Sequence, residues 1–461
     1  TFAGTEDHPL IDYAHDLMIA QLLRDDAGTA GPLQLTAKWV PKENTRKVSG
    51  ADGTKSRLDG RYTWQFRRIA QKMFPFAQTA TTEPSARRAS AKSCMKLRQL
   101  TSRLNREIGT VEVAMSSGAE QWGDLSFGKD ADGNRGSYNV CGATLRRHTR
   151  AWKNVTKSGE ARSGRPDRVA CAANYERHMA AVASGEATVR GATLNPYELA
   201  KDAAVCSADN ATEVARINGQ WATNGADAPD CGAMVALCDV SSSMLSDDGL
   251  PMYAAIGAAI RISETSLPCL RNRILTFSSN PSWIDLRDLG TDFVAKVRRV
   301  QTDRNWGMGT DLLRACEMVA ASLAAGGVDR DAVKSVVLAV LSDMQIDGAQ
   351  GVDGREGNGS DGWGDCSPPD AHERIEACFA ARGLPCPHIL WWNLRRTNGF
   401  PTVMTKGNTT CVSGYSASLL KAFQEDAIKA IESATPLATI QRLLADERLS
   451  PLRAGFERHR P

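Results

Sequence analysis

Three oxygen-bearing residues spaced two apart, Asp239, Ser241 and Ser243, lie in the run Ala236-Leu-Cys-Asp-Val-Ser-Ser-Ser-Met244. Alternation at that spacing puts their side chains on one side of an extended or turning backbone. A carboxylate and two hydroxyls converging in this way suit a hard divalent cation. Two more oxygens stand in comparable settings. Thr310, in Asn305-Trp-Gly-Met-Gly-Thr-Asp311, opens a helix after a glycine-rich loop, and Asp343, in Val340-Leu-Ser-Asp-Met344, ends an apolar run. Mg²⁺ is the expected ion, since it favours roughly octahedral oxygen coordination and keeps several waters. With few charged ligands it stays electrophilic and has a position open. The competing account needs no metal: the hydroxyls cap the following helix and satisfy loop amides.

The elements that must position these residues follow from the apolar pattern. Met234 to Asp239, Arg273 to Phe277, Ser335 to Leu341 and His388 to Leu394 read as buried parallel strands. Pro251 to Ser263 and Thr310 to Ala325 read as helices, the second closed by Gly326-Gly327. Strand alternating with helix predicts a doubly wound α/β sheet over residues 229–461, which binds ligands where loops meet at the C-terminal strand ends. A Gly/Asp-rich segment, 347–365, reads as an insertion beside that rim. The linker Asn224-Gly-Ala-Asp-Ala-Pro-Asp230 separates this half from residues 1–228, which read as mostly helical, with Arg87 to Ile108 and Val169 to Ala183 as amphipathic helices. The predicted fold class is therefore α followed by α/β.

Charge divides along the same line. The whole chain of 461 residues carries a formal net charge of only +3. Between residues 38 and 107, however, 17 Lys/Arg face 5 Asp/Glu. Arg87, Arg88, Lys92, Lys96, Arg98, Arg103 and Arg106 recur at spacings that line one or two helix faces, a pattern suited to phosphate and hence to RNA. The alternative is an ordinary solvated helix exterior. Trp64, Phe66 and Trp152 could stack bases, although burial in a core is the commoner fate of such rings.

Other features exclude more than they suggest. No apolar stretch reaches the roughly 18 residues of a membrane span, so no membrane role is expected. The chain starts at Thr1 without a signal-like apolar core. Twelve cysteines without a CxxC pair fit reduced thiols in an intracellular, cytoplasmic setting, with an organellar destination left open by the start at Thr1. Asn-x-Ser/Thr matches at Asn154, Asn210, Asn358 and Asn408 are of the kind chance produces. Gly357-Asn-Gly-Ser-Asp-Gly362 satisfies GxGxxG but neither follows a strand nor opens a helix, so no nucleotide cofactor is expected. Asp130-Ala-Asp-Gly-Asn134 begins like a calcium loop, but Arg135 and Cys141 stand where that loop needs Gly and Glu.

The five-part pattern Asp239, Ser241, Ser243, Thr310 and Asp343 resembles the metal-ion-dependent adhesion site of von Willebrand factor A domains. More widely, Lys38-Trp-Val-Pro41, the stretch from Ala180 to Leu199, Thr276-Phe-Ser-Ser-Asn-Pro281, Asn305-Trp-Gly-Met308 and Trp391-Trp-Asn-Leu-Arg395 look like the DUF2828 family, relatives of the TROVE-domain proteins of the Ro ribonucleoprotein type. The resemblance implies HEAT-like helical repeats followed by an A domain, RNA on the basic helical surface, and a metal site whose open position takes a Glu or Asp of a protein partner. The chain is thus expected to be a non-enzymatic RNA- and protein-binding scaffold. A metal-dependent assembly module without RNA is the main rival. A metal-dependent hydrolase is the remote one, because no general base stands paired with a nucleophile.

Overall fold

Buried parallel strands carry near-continuous apolar runs, and four such runs build the centre of the fold. A computed structural model describes residues 9–28, 31–49, 55–79, 81–116, 121–129, 138–226, 233–277, 280–303, 311–344, 368–395, 408–415, 441, 445 and 450. The main sheet contains β1 (Met234–Asp239), β2 (Arg273–Phe277), β3 (Ser282–Asp285), β4 (Val337–Ser342), β5 (His388–Asn393) and β6 (Thr409–Ser413). Their order is β6-β5-β4-β1-β2-β3. All neighbours are parallel except β2 and β3, which pair antiparallel. This is a doubly wound sheet whose strand order reverses between β1 and β4.

Every residue of β1, β4 and β5 is buried. Alternate side chains feed two different cores. Met234, Ala236, Cys238, Ala339, Leu341 and Trp392 face one, and Val235, Leu237, Leu338, Val340 and Trp391 the other. The edge strands β3 and β6 are half exposed, and their weaker apolar pattern escapes a search for buried runs.

The longer helices are α1 (Pro9–Ala27), α2 (Thr63–Met73), α3 (Glu83–Ile108), α4 (Pro166–Ser184), α5 (Pro196–Val205), α6 (Ala211–Gly225), α7 (Ser246–Thr265), α8 (Phe293–Gln301), α9 (Leu312–Ala325) and α10 (Pro368–Ala380). Helices α9 and α10 cover one sheet face through Val319, Leu323 and Phe379. Helix α7 covers the other through Ile256 and Ile260. Its regular part begins late: Asp247, Asp248 and Gly249 have φ of 51°, 59° and 72°, and Pro251 follows. A Cβ on Gly257 would lie 2.9 Å from the Pro196 carbonyl, so a glycine there lets α5 approach α7 closely.

The apolar cluster under α7 continues into residues before 228. Leu199, Ala203, Ile217 and Trp221 belong to the same core as β1. Trp221 stacks on Phe293 of α8 at 3.7 Å, the Arg261 guanidinium lies 3.8 Å from the Trp221 ring, and Glu264 accepts from the Trp221 indole. Thus α5 and α6 form an outer layer over the sheet, while Ala215 on α6 also joins the neighbouring cluster of Trp122, Trp152 and Tyr175. A fourth cluster gathers Leu22, Phe66 and Ile69 with Leu97, Leu100 and Leu104 of α3.

The first 226 residues are not purely helical. Thr45–Ser49 and Lys55–Asp59 pair antiparallel, and two short ladders join Leu125–Ser126 to Tyr138–Asn139 and Gly128–Lys129 to Thr188–Val189. Phe66 and Trp152, considered above as base-stacking rings, are buried at 2% and 0% exposure and cannot stack on a ligand. Trp64 is partly exposed, its ring 6.1 Å from that of His15. The described cysteines are all free thiols. Among the described residues no helix is long and apolar enough to cross a membrane. The Gly/Asp-rich segment 347–365, the GxGxxG match and the Asp130 loop lie outside the described residues.

Candidate functional site

The strand-end residues meet where the order of strands reverses. Asp239 is the last residue of β1, and Asp343 follows the last residue of the adjacent β4. Both carboxylates are fully buried. Asp239 Oδ1 accepts from the Ser241 backbone N–H at 2.8 Å, and Asp239 Oδ2 accepts from Ser342 Oγ at 2.5 Å. The first bond turns the chain sharply after β1. Ser241 Oγ and Ser243 Oγ then stand 3.0 Å apart. Two hydroxyls and a carboxylate from one five-residue stretch are thereby gathered at one end of β1.

Ser342 ties this stretch to the next loop. Its hydroxyl donates to Asp239 and accepts from the Met344 N–H at 3.0 Å. Met344 has φ 65°, uncommon for a residue with a Cβ, so the backbone reverses immediately after Asp343. Its side chain is buried at 2% exposure, which holds the turn against the core. Two residues past β5, Arg395 Nη1 donates to Asp343 Oδ2 at 3.3 Å, and the Arg395 N–H donates to Asn393 Oδ1 at 2.9 Å.

The electrostatics of Asp239 follow from this environment. Burial, with the nearby Asp343 adding to it, pushes its carboxyl up to about 6 from the ordinary 3.8, against the hydrogen bonds from Ser342 and Ser241. Both donors are neutral, and among the described residues no ion pair involves Asp239. A buried carboxylate without a cation, beside two converging hydroxyls and a second buried carboxylate, is an oxygen donor set that fits a divalent ion. The described residues contain no cluster of three or more His, Cys, Asp or Glu, so a hard ion would need hydroxyl oxygens and water in addition to the two carboxylates.

Thr310, the fifth predicted ligand, lies outside the described residues. The next residue, Asp311, caps α9, its side chain accepting from the Arg314 N–H at 2.9 Å. Sequence reasoning missed Ser342 and Arg395. A hydroxyl beside a strand-terminal Asp is a local signal for Ser342. For Arg395 there is none, because its approach to Asp343 depends on the alignment of β5 with β4.

The predicted RNA-binding cations are all exposed on α3, but several already meet carboxylates. Arg87 pairs with Glu83, Arg98 with Glu43, and Arg103 with Asp26 and Glu107. Lys92 lies 4.5 Å over the Phe76 ring, and Arg106 donates to the Ser102 carbonyl. For Arg88 and Lys96 no ion pair occurs among the described residues. Asn154 is buried, its amide donating to the Ser163 carbonyl, and does not offer a glycan acceptor at the surface.

Comparison with other proteins gives distant relatives. A domain of unknown function, DUF7788, matches residues 233–448. That differs from the DUF2828 family suggested by the motifs. An uncharacterized protein, L728, of Acanthamoeba polyphaga mimivirus is 23% identical over 361 residues, covering 77% of this chain and 55% of that protein. The chain therefore spans about half the length of that curated relative. Among solved structures, the Ro (RSR) protein of Deinococcus radiodurans aligns with a TM-score of 0.33 and 14% identity, over 79% of this chain and 77% of that one. Proximal thread matrix protein 1 of the mussel byssus aligns with a TM-score of 0.26 and 15% identity, over 44% and 48%.

Proposed function

We propose that the chain is a non-enzymatic binding scaffold whose α/β half is a von Willebrand factor A-like domain and whose helical half engages RNA. One observation carries the reading: two fully buried carboxylates, Asp239 and Asp343, end adjacent strands at the point where the sheet order reverses, beside the hydroxyl pair Ser241 and Ser243. Such a crevice is where doubly wound sheets bind ligands. Asp239, Ser241, Ser243 and Asp343, with Thr310, would hold a divalent cation, Mg²⁺ being expected, and that ion would supply an electrophilic position for the carboxylate of a partner's Glu or Asp. Ser342 holds Asp239 in place, and Arg395 pairs with Asp343.

The test uses the metal alone. Calorimetric titration of the chelator-treated chain with MgCl₂ or MnCl₂ should show saturable binding that Asp239→Ala abolishes. Equal heats for the two proteins would remove the metal half of the proposal.

The RNA half rests on the exposed cations of α3, Arg87, Arg88, Lys92, Lys96, Arg98, Arg103 and Arg106. Crosslinking in cells should recover RNA with the chain, and glutamine at Arg88 and Lys96 should reduce it. A second reading, docking of an acidic protein on the same face, draws support from the carboxylates that already pair with Arg87, Arg98 and Arg103. Retention of a partner that survives nuclease treatment and is lost on charge removal would favour it.

A further inference from the structure

A broad concavity lies away from the strand ends, in the helical half. It is an open cleft of about 790 Å³. Arg146, Arg147, Arg150, Lys157, Arg162 and Arg216 line it, against only two acids, Asp202 and Glu213.

Its charges fall into two sets. The inner set is internally matched: Arg146 donates to both oxygens of Asp202 at 2.8 and 2.9 Å and to Glu198 at 2.9 Å. Arg216, 1% exposed, reaches Asp202 at 2.9 Å and Glu213 at 2.5 Å. The outer set is not matched. Arg147, Arg150, Lys157 and Arg162 are exposed and have no ion pair among the described residues.

The backbone that carries the outer set is well fixed. Val155 and Ala161 form an isolated antiparallel bridge, the Thr156 N–H donates to the Glu160 carbonyl at 2.8 Å, and the Arg162 N–H donates to the Asn154 carbonyl at 2.7 Å. Gly159, at φ 90°, closes this turn. Lys157 and Arg162 are thus held on one tight loop opposite Arg147 and Arg150, which lie on two short helices, Gly142–Arg147 and Thr149–Trp152.

We propose that this cleft binds a compact phosphorylated ligand, one presenting two or more closely spaced phosphate groups to Arg147, Arg150, Lys157 and Arg162. Four like charges converging on a concavity focus a positive field that a single phosphate neutralises only in part. Arginine further favours phosphate because its planar fork can donate two parallel hydrogen bonds. The volume of the cleft is that of a small-molecule site. The lining also lacks the aromatic platforms on which single-stranded nucleic acids stack. Its one imidazole, His148, lies edge-on to Trp152 at 5.9 Å. A small polyphosphate therefore fits this cleft better than a nucleic-acid strand.

The experiment is calorimetric titration of the full chain with inorganic tripolyphosphate, at low salt and in chelator, so that the strand-end site plays no part. Wild type should bind at one site, with affinity falling as salt rises. The quadruple variant Arg147→Gln, Arg150→Gln, Lys157→Gln, Arg162→Gln should bind at least tenfold more weakly. A charge-matched variant, Arg177→Gln, Arg330→Gln, Lys334→Gln, Arg382→Gln, should bind as wild type does. Circular dichroism checks that both variants fold, and replacement of Arg150 alone by Lys should retain most of the affinity if the first variant does not. Equal loss in the two quadruple variants, no binding by wild type, or binding of an oligothymidylate but not of tripolyphosphate would each overturn the proposal. Asp239→Ala should leave this binding unchanged, which keeps its outcome separate from that of the metal reading.

Discussion

At the strand ends, Asp239 and Asp343 are excluded from solvent, whereas around the cleft Arg147, Arg150, Lys157 and Arg162 stand in it. Both regions gather charge of one sign, but they carry it at different cost. Asp239, taken out of water without a cation, raises the free energy of the fold, and that cost shows as its displaced pKa. An exposed guanidinium remains hydrated and costs almost nothing until a ligand strips its water. The acidic site should therefore report on stability and the basic rim on binding alone, with the buried floor of the cleft behaving like the strand ends.

The largest expected effect is at that floor. Burial works against the charge of Arg216, yet the hydrogen-bonded Glu213 and nearby Asp202 raise its pKa above the ordinary guanidinium value. Arg216→Ala would leave Glu213 without its cation, while Asp202 keeps Arg146; the expected loss is about 3 kcal/mol, the lower end for a buried pair broken on one side. Urea unfolding should show the midpoint falling accordingly. A change below 1 kcal/mol would mean that floor and rim do not differ as argued.

Next in size is the pH dependence of the metal-free chain. Asp239 holds its proton more tightly folded, up to about 6, than unfolded, near 3.8. Protonation therefore favours the fold: the contribution is fully present below pH 3.8, declines as pH rises, and is lost above about 6. At about 1.4 kcal/mol per pH unit, that window is worth on the order of 3 kcal/mol. Unfolding free energies of wild type and Asp239→Asn, measured in chelator from pH 4 to 7.5, should diverge across it, with the variant the more stable at neutral pH. Parallel curves would mean that Asp239 is not the strained group.

These differences also decide what is legible in the sequence. The strands β1, β2, β4 and β5 announce themselves because a strand buried on both faces must be apolar at every position, and a polar residue ending such a run is conspicuous. Asp239 and Asp343 were visible for that reason. Strands β3 and β6 were not, being half exposed. The amphipathic pattern of α5 and α6 shows that they have an apolar face, but not that Leu199, Ala203 and Trp221 turn it toward the sheet. The cleft was hidden for a third reason. Its cations come from two short helices and a turn, and their convergence depends on the bridge between Val155 and Ala161 rather than on any periodicity. The run of charge on α3 was conspicuous in sequence, yet its own chain answers part of it with Glu43, Glu83, Asp26 and Glu107.

A smaller effect is expected at Ser342. Its hydroxyl donates to Asp239 and accepts from Met344, so Ser342→Ala removes one bond from a buried carboxylate and orphans a buried N–H. The expected loss is about 1–3 kcal/mol. Because a hydrogen bond that favours the charged form disappears, Asp239 should also titrate higher, moving the pH-dependent window upward in the same unfolding series.

The smallest effect on stability and the most informative about the metal comes from Arg395. Its side chain is 30% exposed, so solvent screens part of the attraction to the buried Asp343, and a glutamine there can still donate a hydrogen bond; Arg395→Gln should therefore cost only about 1 kcal/mol. Cation binding should respond more strongly. A guanidinium 3.3 Å from Asp343 Oδ2 places positive charge beside an oxygen that the divalent ion also needs. Removing it relieves repulsion between like charges, so Mg²⁺ affinity should rise several-fold in Arg395→Gln, measured by the same titration that Asp239→Ala abolishes. A fall in affinity would assign the arginine the opposite part: it would then be the group that aims Asp343 at the ion, and losing its orientation would outweigh the relief of charge.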